Sequence, residues 1–383
     1  MEKIVDHLLC TGCSACMSQC PRDAITMSPG RKGFLYPQID PEKCVDCGLC
    51  QKACPALHFE KLFQQEPPAA FAAQHYVEGV LKNSSSGGVF TAVSDYILHR
   101  NGVVYGATYA PDMTVMHIRA ENTAQRNLMR DSKYVQSDLT DILRQIQQDL
   151  KENRMVLFTG TPCQCAGLRS VAPKGDPNLI LMEIFCHSVP SPRLFRDHIA
   201  ALTEKNGSAV VGYSSRDKRY GWTRRDRVVF ANGKVDDRSA LSQSFYKLFN
   251  LKVAARDSCG NCPFGGKQRC ADLSIGDFWG YREANIAQRY KGKGLSVVLA
   301  NSRAGKQLLN EIPGLQLTHI PYESAFIKNH SKPIVFAKET DAFWAEYEKN
   351  GYLHAIRSFA GYTAAGRIRH AMVQCYRKLR SRR

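Results

Sequence analysis

The sequence predicts a two-part protein of the α+β/α/β class. A small cysteine-rich N-terminal module packs on a larger mixed α/β domain, and a helical tail follows. Three observations support this prediction. The chain has 383 residues, enough for two or three domains. Eight cysteines form a duplicated pattern within residues 1–57. From Phe71 onward, short apolar runs alternate with stretches of helical period, as expected when strands and helices alternate along the chain.

The composition is that of a packed protein. Hydrophobic residues make up 44% of the chain and charged residues 23%, which are ordinary proportions for a globular protein. No apolar run approaches the roughly 20 residues that cross a bilayer, and Met1–Leu9 lacks the pattern of a signal peptide. We therefore expect a soluble cytoplasmic protein without a transmembrane segment. In that compartment cysteines act more often as ligands than as bridges.

The duplicated motif is C-x2-C-x2-C-x3-C-P, and its two copies lie 34 residues apart. Three thiolates spaced three apart on a tight loop reach three corners of a [4Fe–4S] cubane. The fourth ligates the other cluster, as in two-cluster bacterial ferredoxins. Zinc sites also use C-x2-C, but they rarely show three evenly spaced cysteines with a trailing Cys-Pro. The first predicted cluster has the ligands Cys10, Cys13, Cys16 and Cys54, and the second has Cys20, Cys44, Cys47 and Cys50.

The larger part begins after a predicted linker at residues 58–70, where Pro67 and Pro68 disfavour a continuous helix. Ser84–Gly88 (SSSGG) then precedes a helical period. Such a turn offers free backbone N–H groups to a phosphate, although serine and glycine also cap many helices without a ligand. The predicted strands are Gly102–Ala107, Val115–Arg119, Met155–Phe158 and Leu179–Phe185, and the predicted helices are Val89–Arg100, Leu139–Lys151 and Thr340–Ala360.

A third group of cysteines lies in the larger part. Cys163 and Cys186 follow predicted strands, at the sheet edge where ligands usually bind. Cys259 and Cys262 form a C-x2-C pair that needs two further thiols to close a four-coordinate site. The strand-end cysteines are the natural donors, and the reserves are Cys165 and Cys270. The group is suited to a third [4Fe–4S] cluster or a structural zinc ion, and buried free thiols are a further alternative.

Several short motifs occur in a fixed order along roughly the first 330 residues. They are SSGG at Ser85–Gly88, SKYVQS at Ser132–Ser137, GTPCQ at Gly160–Gln164, FCH at Phe185–His187, and C-x2-CPF at Cys259–Phe264 followed by GDFWG at Gly276–Gly280. In this order they resemble the coenzyme F420 hydrogenase/dehydrogenase β-subunit family, including members fused to a ferredoxin module. Members of that family bind FAD and one or more [4Fe–4S] clusters. They pass electrons between a two-electron hydride carrier and one-electron partners.

The resemblance implies an FAD-dependent iron–sulfur oxidoreductase whose flavin domain spans residues 71–150 and 151–330. It implies a third cluster on Cys163, Cys186, Cys259 and Cys262. The flavin residues that it implies are Ser85, Ser86, Gly87, Gly88, Lys133, Tyr134, Gln136, Ser137, Thr161 and Pro162. Lys133 would be an electrostatic partner of the flavin, and Thr161 and Pro162 would pack against its ring. No acid–base catalytic residue is implied. Asp277 and His187 are the nearest candidates for proton handling, although hydrogen-bonding or turn roles suit them better.

The resemblance also implies two kinds of partner. One is a small-molecule hydride donor or acceptor, such as an F420-type deazaflavin. The other is a one-electron carrier, such as ferredoxin or a partner oxidoreductase. Two alternatives remain open at this point. The chain could be an electron-transfer subunit without its own small-molecule substrate, or an iron–sulfur protein that binds no flavin.

The formal net charge of +17 raises the question of a nucleic-acid partner. Arg216–Arg227 holds six basic residues with Tyr220 and Trp222 among them, and we interpret it as a solvated loop. Residues 331–383 form a predicted helical basic tail. Its end, Arg367–Arg383, carries seven basic residues, no acid, and Cys375, which has no predicted ligand role. That end could contact anionic lipid or a protein partner, but a solvated terminus is favoured. Each oxidised cubane with four thiolates carries about −2, so part of the basicity is counter-charge, and we expect no nucleic-acid partner.

Overall fold

The computed structural model describes residues 3–219, 221–222, 225–329 and 331–363, together with Ile368 and Met372. Within these ranges the strands are β1 Ile25–Pro29, β2 Leu35–Ile39, β3 Ala69–His75, β4 Val103–Tyr109, β5 Val115–Ala120, β6 Val156–Gly160, β7 Leu179–Ile184, β8 Val210–Ser214, β9 Arg227–Phe230, β10 Val235–Asp236, β11 Leu273–Asp277, β12 Ser296–Ala300 and β13 Leu315–Ile320. The α-helices are α1 Ala15–Ser18, α2 Leu49–Lys52, α3 Glu78–Lys82, α4 Val89–Leu98, α5 Thr123–Asn127, α6 Ile142–Lys151, α7 Pro162–Val171, α8 Pro192–Asn206, α9 Ser244–Leu251, α10 Arg303–Glu311, α11 Thr340–Asn350 and α12 Tyr352–Phe359. Short 3₁₀ helices lie at Phe59–Leu62, Asp257–Asn261, Pro263–Gly265 and Tyr322–Phe326.

A large mixed sheet forms the centre of the larger part, with the strand order β13-β3-β12-β11-β7-β6-β4-β5. Its inner strands β4, β6, β7 and β11 run parallel, and antiparallel strands continue the sheet on both sides. Val156, Leu157 and Phe158 of β6 are fully buried, as expected for a parallel strand covered on both faces. Because parallel strands end at the same edge of a sheet, the segments after β6, β7 and β11 come together there.

The mixed α/β class is confirmed, and the predicted strands occur with ends that differ by up to two residues. One predicted helix is wrong as a single element. The segment from Thr340 to Ala360 forms two helices, α11 and α12, because Gly351 between them has a φ of 80° that a continuing α-helix does not allow. Residues 364–383 of the predicted basic tail, including Cys375, lie outside the described residues except for Ile368 and Met372.

The N-terminal module consists of the β1–β2 hairpin and the one-turn helices α1 and α2. Its internal repeat is visible in the backbone as well as in the cysteine spacing. Gly12 and Asp46, which lie 34 residues apart, have φ values of 69° and 49°. Ser14 and Gly48, at the same offset, have φ values of 62° and 72° and immediately precede α1 and α2. The two cysteine loops therefore share one backbone path.

The module is attached to the larger part by polar contacts on three elements. Arg144 of α6 donates from Nη2 to the carbonyl oxygen of Met17 at 3.0 Å. Ser170 of α7 donates to the carbonyl oxygen of Ala53 at 2.8 Å. Lys32 forms an ion pair with Asp257, and its Nζ lies 2.6 Å from Oδ1. These contacts hold both cysteine loops against the carboxyl edge of the central sheet.

The segment predicted as a linker, 58–70, has structure and packs on the larger part. Phe63 is buried, and its ring packs edge-on against Phe264 with centroids 6.2 Å apart. The backbone N–H of Gln64 donates to the carbonyl oxygen of Arg269 at 2.8 Å. Ala69 and Ala70 already belong to β3. The Pro67–Pro68 pair thus interrupts helix without separating the two parts of the chain.

A second core lies beside the central sheet. Strands β8, β9 and β10 form a small antiparallel sheet, which packs with α8, α9, α11 and α12. The buried side chains of this core include Leu194, Val228, Phe245, Phe343 and Ile356. The segment after β8 returns to the cavity described below, so this core fixes one wall of it.

Candidate functional site

The eight cysteines of the N-terminal module line two small cavities. One is lined by Cys10, Cys13, Cys16 and Cys54. The other is lined by Cys20, Cys44, Cys47 and Cys50. In each cavity three cysteines come from one copy of the motif and the fourth comes from the other copy. The structure thus groups them as the 34-residue repeat predicts.

The first of these sets is buried, whereas the second reaches the surface. Burial raises the pKa of Cys13 to about 12, and the neighbouring thiols of Cys54 and Cys10 raise it further. Such thiols stay protonated in water and ionise when a metal replaces the proton, so a soft, four-thiol donor set is suited to iron–sulfur ligation. In the second set Cys47 is exposed and Cys44 is partly exposed.

A third cysteine set lies beyond the carboxyl ends of the parallel strands. Cys163 is in the first turn of α7, Cys186 follows β7, and Cys259 and Cys262 flank the end of a 3₁₀ helix. Burial raises the pKa of Cys262, and the charges of the Cys163, Cys259 and Cys186 thiols add to that shift. The structure therefore brings together the four thiols that the sequence and the resemblance select.

The two reserve cysteines lie on the other side of α7. Cys270 is buried and donates from Sγ to Pro162 O and to Glu183 Oε2, both at 3.3 Å. Burial raises the pKa of Cys165, and the charge of Glu183 adds to the shift. Cys165 is two residues after Cys163, which is about 200° around an α-helix. Its side chain consequently lies in the core around Glu183.

Two buried arginines lie beside the third set, and both have donors without partners. Burial raises the pKa of Cys186, and the Arg269 guanidinium opposes that shift. Arg269 lies 3.5 Å from Glu183, yet within the described ranges its Nε and Nη2 have no hydrogen-bond partner. Nη1 of Arg256 likewise has none among the described residues. Buried cationic donors of this kind require an anion, and a cubane with four thiolates is one.

The first and third sets adjoin across helix α7. Gly167 lies one turn after Cys163 on the same face of the helix. A Cβ added at Gly167 would lie 2.8 Å from Cβ of Cys13 and 2.9 Å from its Sγ. The charge of Cys163 is also among the influences that raise the pKa of Cys13, after burial, Cys54 and Cys10. Glycine at this position therefore lets the two thiol sets approach each other.

A cavity of about 270 Å³ opens next to the third set, at the carboxyl edge of the sheet. Cys186 belongs both to the third set and to the cavity wall. Seven residues that the resemblance implies for the flavin also line it, namely Ser85, Ser86, Gly88, Lys133, Tyr134, Ser137 and Thr161. The chain therefore gathers three motifs that are distant in sequence around one cavity.

Three residues implied for the flavin have other contacts. Gly87 donates from its N–H to Oγ of Ser296 at 2.9 Å. Gln136 accepts from the backbone N–H of Leu35 at 3.1 Å and so contacts the N-terminal module. Pro162 begins α7, and its carbonyl oxygen accepts from Cys270. These residues position the cavity wall and the module, and they are not among the lining residues.

The interpretation of Arg216–Arg227 as a solvated loop is wrong for its first residues. Arg216 is 4% exposed, lines the cavity, and forms a forked ion pair with Asp277 at 2.5 and 3.1 Å. Trp222 donates from Nε1 to the same carboxylate at 2.8 Å. Lys218 donates to three backbone carbonyls, including that of Ser86 at 2.6 Å. Tyr220, Thr223 and Arg224 of this segment lie outside the described residues.

Lys133, which lines the cavity, and Lys218, which contacts Ser86 of the cavity wall, both donate to backbone carbonyls. Lys133 donates to the carbonyl oxygens of Leu128, Arg130 and Asp131, at 2.6 to 3.2 Å. Burial lowers the pKa of Lys133 to about 8 and that of Lys218 to about 7. These contacts fix two loops of the cavity wall.

The two candidates for proton handling, Asp277 and His187, both line the cavity. Asp277 has a hydrogen-bonding role, because its carboxylate is the ion-pair partner of Arg216.

Sequence reasoning missed Arg130, which lines the same cavity as the start of α4. The Arg130 guanidinium is half-buried, and its Nε has no hydrogen-bond partner among the described residues. Helix α4 begins after Gly88, whose φ is 85°, and within the described part of the chain no side chain caps its first turn. A cation beside uncapped N–H groups attracts a phosphate. The one signal in the sequence is a basic residue shortly before SKYVQS.

Family models match most of this architecture. Residues 153–319 match the C terminus of the β subunit in coenzyme F420 hydrogenase/dehydrogenase. Two models of a 4Fe-4S dicluster domain match residues 9–57 and 36–109. Residues 153–319 therefore form a C-terminal domain of the type found in the coenzyme F420 hydrogenase/dehydrogenase β-subunit family. The N-terminal segment is a domain of the type that holds two [4Fe–4S] clusters.

Curated relatives are similar to short stretches of this chain. One is a component of the Na⁺-translocating ferredoxin:NAD⁺ oxidoreductase complex from Acetobacterium woodii, which is 48% identical over 46 residues, 12% of this chain and 13% of that protein. Another is an iron–sulfur component of the CoB–CoM heterodisulfide reductase from Methanocaldococcus jannaschii, which is 40% identical over 65 residues, 14% of this chain and 10% of that protein. The chain thus spans a small part of the length of these two relatives.

One solved structure is similar over a longer stretch. In the F420-reducing [NiFe] hydrogenase complex from Methanosarcina barkeri, one chain is similar over 78% of this chain and 92% of its own length. The sequence identity is 15% and the TM-score 0.46. In the part of the chain that the structure describes, no helix has both the length and the apolar character needed to cross a bilayer.

Proposed function

We propose that this chain relays electrons between a hydride carrier and one-electron carriers, as an FAD-dependent iron–sulfur oxidoreductase. The observation that carries the proposal is a continuous series of thiol sets. It begins at the exposed Cys47, passes from Cys13 to Cys163 across Gly167, and ends at Cys186 in the cavity wall. FAD takes up a hydride pair and releases electrons singly, and [4Fe–4S] clusters carry one electron each.

The cavity offers both a polar and an apolar subsite suited to FAD. The polar subsite consists of the first turn of α4 and Arg130, which line the same cavity, and the pyrophosphate would bind there. The apolar subsite contains Tyr134, which stacks on Phe249 with ring centroids 4.7 Å apart. Aromatic and apolar walls of this kind favour a planar heterocycle. Arg216 and Asp277 would orient Tyr134, whose OH accepts from Arg216 Nη1 at 3.3 Å.

The third thiol set would hold the cluster nearest to FAD. Its four thiols, the two arginines with unpartnered donors, and the position of Cys186 in the cavity wall support this assignment. Among the described residues, no group of three or more His, Cys, Asp or Glu side chains is arranged to hold a metal ion. Direct iron and zinc analysis, discussed below, tests which metal this set binds.

A partner oxidoreductase is the second element of the proposal. Both curated relatives are named as subunits of larger enzymes, and Cys47 places the second thiol set at the surface. A one-electron partner would exchange electrons there, while a hydride carrier reaches the cavity. The alternative is an electron-transfer subunit without its own small-molecule substrate. Such a subunit would not turn over a hydride carrier when the partner is absent.

The relay is tested by titrating the anaerobically purified, FAD-loaded chain with reduced ferredoxin. We expect the bound flavin to bleach together with the clusters, because electrons entering at the second thiol set reach the cavity through the other two. Absorption and electron paramagnetic resonance spectra measure the two groups separately. Clusters that become reduced while the flavin stays oxidised would contradict the relay. A chain that retains no flavin after purification and binds none on incubation would contradict FAD dependence.

Replacing Arg130 by glutamine should weaken FAD binding by about tenfold, because a charge-assisted hydrogen bond to phosphate is lost. Equilibrium dialysis against FAD measures the dissociation constant. Arg303→Gln is the matched control, since the Arg303 side chain is 90% exposed and is not among the lining residues. Riboflavin, which has no phosphate, should bind both variants equally. An FAD affinity of the Arg130 variant equal to that of the wild type would refute this phosphate subsite.

A further inference from the structure

Arg256 lies buried at the junction of the N-terminal module and the third thiol set. It is 1% exposed and precedes Cys259 by three residues. Its Nε donates to the carbonyl oxygen of Cys10 at 2.8 Å, and its Nη2 donates to that of Leu35 at 2.9 Å. The guanidinium also lies over the Tyr36 ring, 4.1 Å from the centroid. The side chain thus extends from the loop of one thiol set into the loop of another.

This buried cation has no carboxylate partner among the described residues. The adjacent acid, Asp257, is paired with Lys32 at 2.6 Å. Nη1 of Arg256 has no hydrogen-bond partner in the described part of the chain, and Nη2 lies 3.7 Å from Sγ of Cys10. A buried guanidinium is stable when an anion compensates it. The groups that can do so here are the thiolates and the clusters that they would ligate.

The charge of Arg256 acts on both neighbouring thiol sets. Its hydrogen bonds reach Cys10 of the first set. In the third set, the backbone N–H of Cys259 donates to the carbonyl oxygen of Arg256 at 3.0 Å, and Arg256 immediately precedes the 3₁₀ helix that contains Cys259. Arg269, the other buried arginine, differs because Glu183 lies 3.5 Å away and compensates part of its charge.

We propose that Arg256 is a positioning residue shared by two adjacent clusters, and that its uncompensated charge raises the reduction potential of both. The proposal rests on the proposed function, because it requires clusters at the first and third thiol sets. Each reduction adds one electron to a centre that is already anionic, and a nearby fixed cation favours that addition in a low-dielectric interior. The second thiol set, which is lined by Cys20, Cys44, Cys47 and Cys50, has no contact with Arg256 among the described residues. Its potential is therefore the internal reference.

The test is a redox titration of the anaerobic holoprotein, followed by electron paramagnetic resonance, for the wild type, Arg256→Gln, Arg256→Lys and Lys32→Gln. Lys32→Gln is the control, since it removes a paired cation from the same junction. We expect Arg256→Gln to lower the midpoint potentials of two centres and to leave the third unchanged. Lys32→Gln should leave all three at wild-type values. The midpoint potentials of Arg256→Lys should stay close to those of the wild type, because lysine keeps the positive charge although it lacks the planar guanidinium group.

Unchanged potentials in Arg256→Gln protein of wild-type iron content would overturn this inference and leave the proposed function standing. Equal shifts in Arg256→Gln and Arg256→Lys would also overturn it, because they would show that hydrogen bonding and not charge is responsible. If Arg256→Gln loses iron, the midpoint potentials of Arg256→Lys test the proposal instead. Wild-type values in that variant would support the role of the charge, and lowered values would refute it. A wild-type chain with about eight irons would instead overturn the proposed third cluster, and the shared role with it.

Discussion

Replacing Cys262 by alanine should remove about four irons from each chain, whereas replacing Cys270 by alanine should remove none. Cys262 interacts electrostatically with Cys163, Cys186 and Cys259, so its loss leaves a set of three thiols. Cys270 hydrogen-bonds to Pro162 and Glu183 on the other side of α7. Iron analysis of anaerobically purified chains, with zinc measured on the same samples, reads out the difference.

The same measurement discriminates the metals that the third set could hold. A wild-type content of about twelve irons and no zinc is expected for three [4Fe–4S] clusters. About eight irons with one zinc, and loss of that zinc in the Cys262 variant, would show a structural zinc site instead. Loss of iron in the Cys270 variant would mean that this thiol replaces one of the four. Cys165→Ala is a second control, because Cys165 is fully buried beside the same glutamate.

Replacing Gly167 by alanine should slow electron transfer between the N-terminal module and the cavity. The new Cβ would lie 2.9 Å from Sγ of Cys13, so the Cys13 loop must move away from α7. Overpacking of this kind typically lowers the free energy of unfolding by about 1–3 kcal/mol. Rapid mixing with reduced ferredoxin measures the effect. The clusters of the module should be reduced at the wild-type rate, and the flavin should follow more slowly.

Gly79→Ala is the matched control for this variant. Gly79 is also helical, and a Cβ added there would meet no atom within 4 Å. Alanine favours a helix over glycine by up to about 1 kcal/mol, so this variant should be as stable as the wild type or slightly more stable. Flavin reduction in the Gly167 variant at the wild-type rate, with full iron content, would contradict the path across α7.

The grouping of the N-terminal cysteines could be predicted because it is local. Three thiols spaced three apart lie on one loop, and the fourth of each copy follows one turn of helix later. The 34-residue offset then brings the two loops together. The structure groups Cys54 with Cys10 and Cys20 with Cys44, as the repeat predicts. Local backbone geometry, including the positive φ at Gly12 and Gly48, is encoded in the same short segments.

The cavity wall could be predicted in part. Ser85, Lys133 and Thr161 lie in motifs and line the cavity. Arg130 and Arg216 belong to no motif, and they line the cavity because the segment after α5 and the segment after β8 both return to it. A basic stretch such as Arg216–Arg227 looks solvated when its acidic partner, Asp277, is 61 residues away in sequence.

The sequence by itself determined the mixed α/β fold class, the grouping of the N-terminal thiols and the resemblance to the coenzyme F420 hydrogenase/dehydrogenase β-subunit family. Periodicity, spacing and short motifs express these features within a few neighbouring residues. Only the tertiary structure decided how α7 separates Cys165 from the third thiol set, because helix geometry turns Cys165 away from Cys163 and brings Gly167 to the face of Cys163. It also decided where the buried charge of Arg256 lies. The position of that charge depends on a contact with Cys10, which is 246 residues away in the chain, and no local pattern records such a contact.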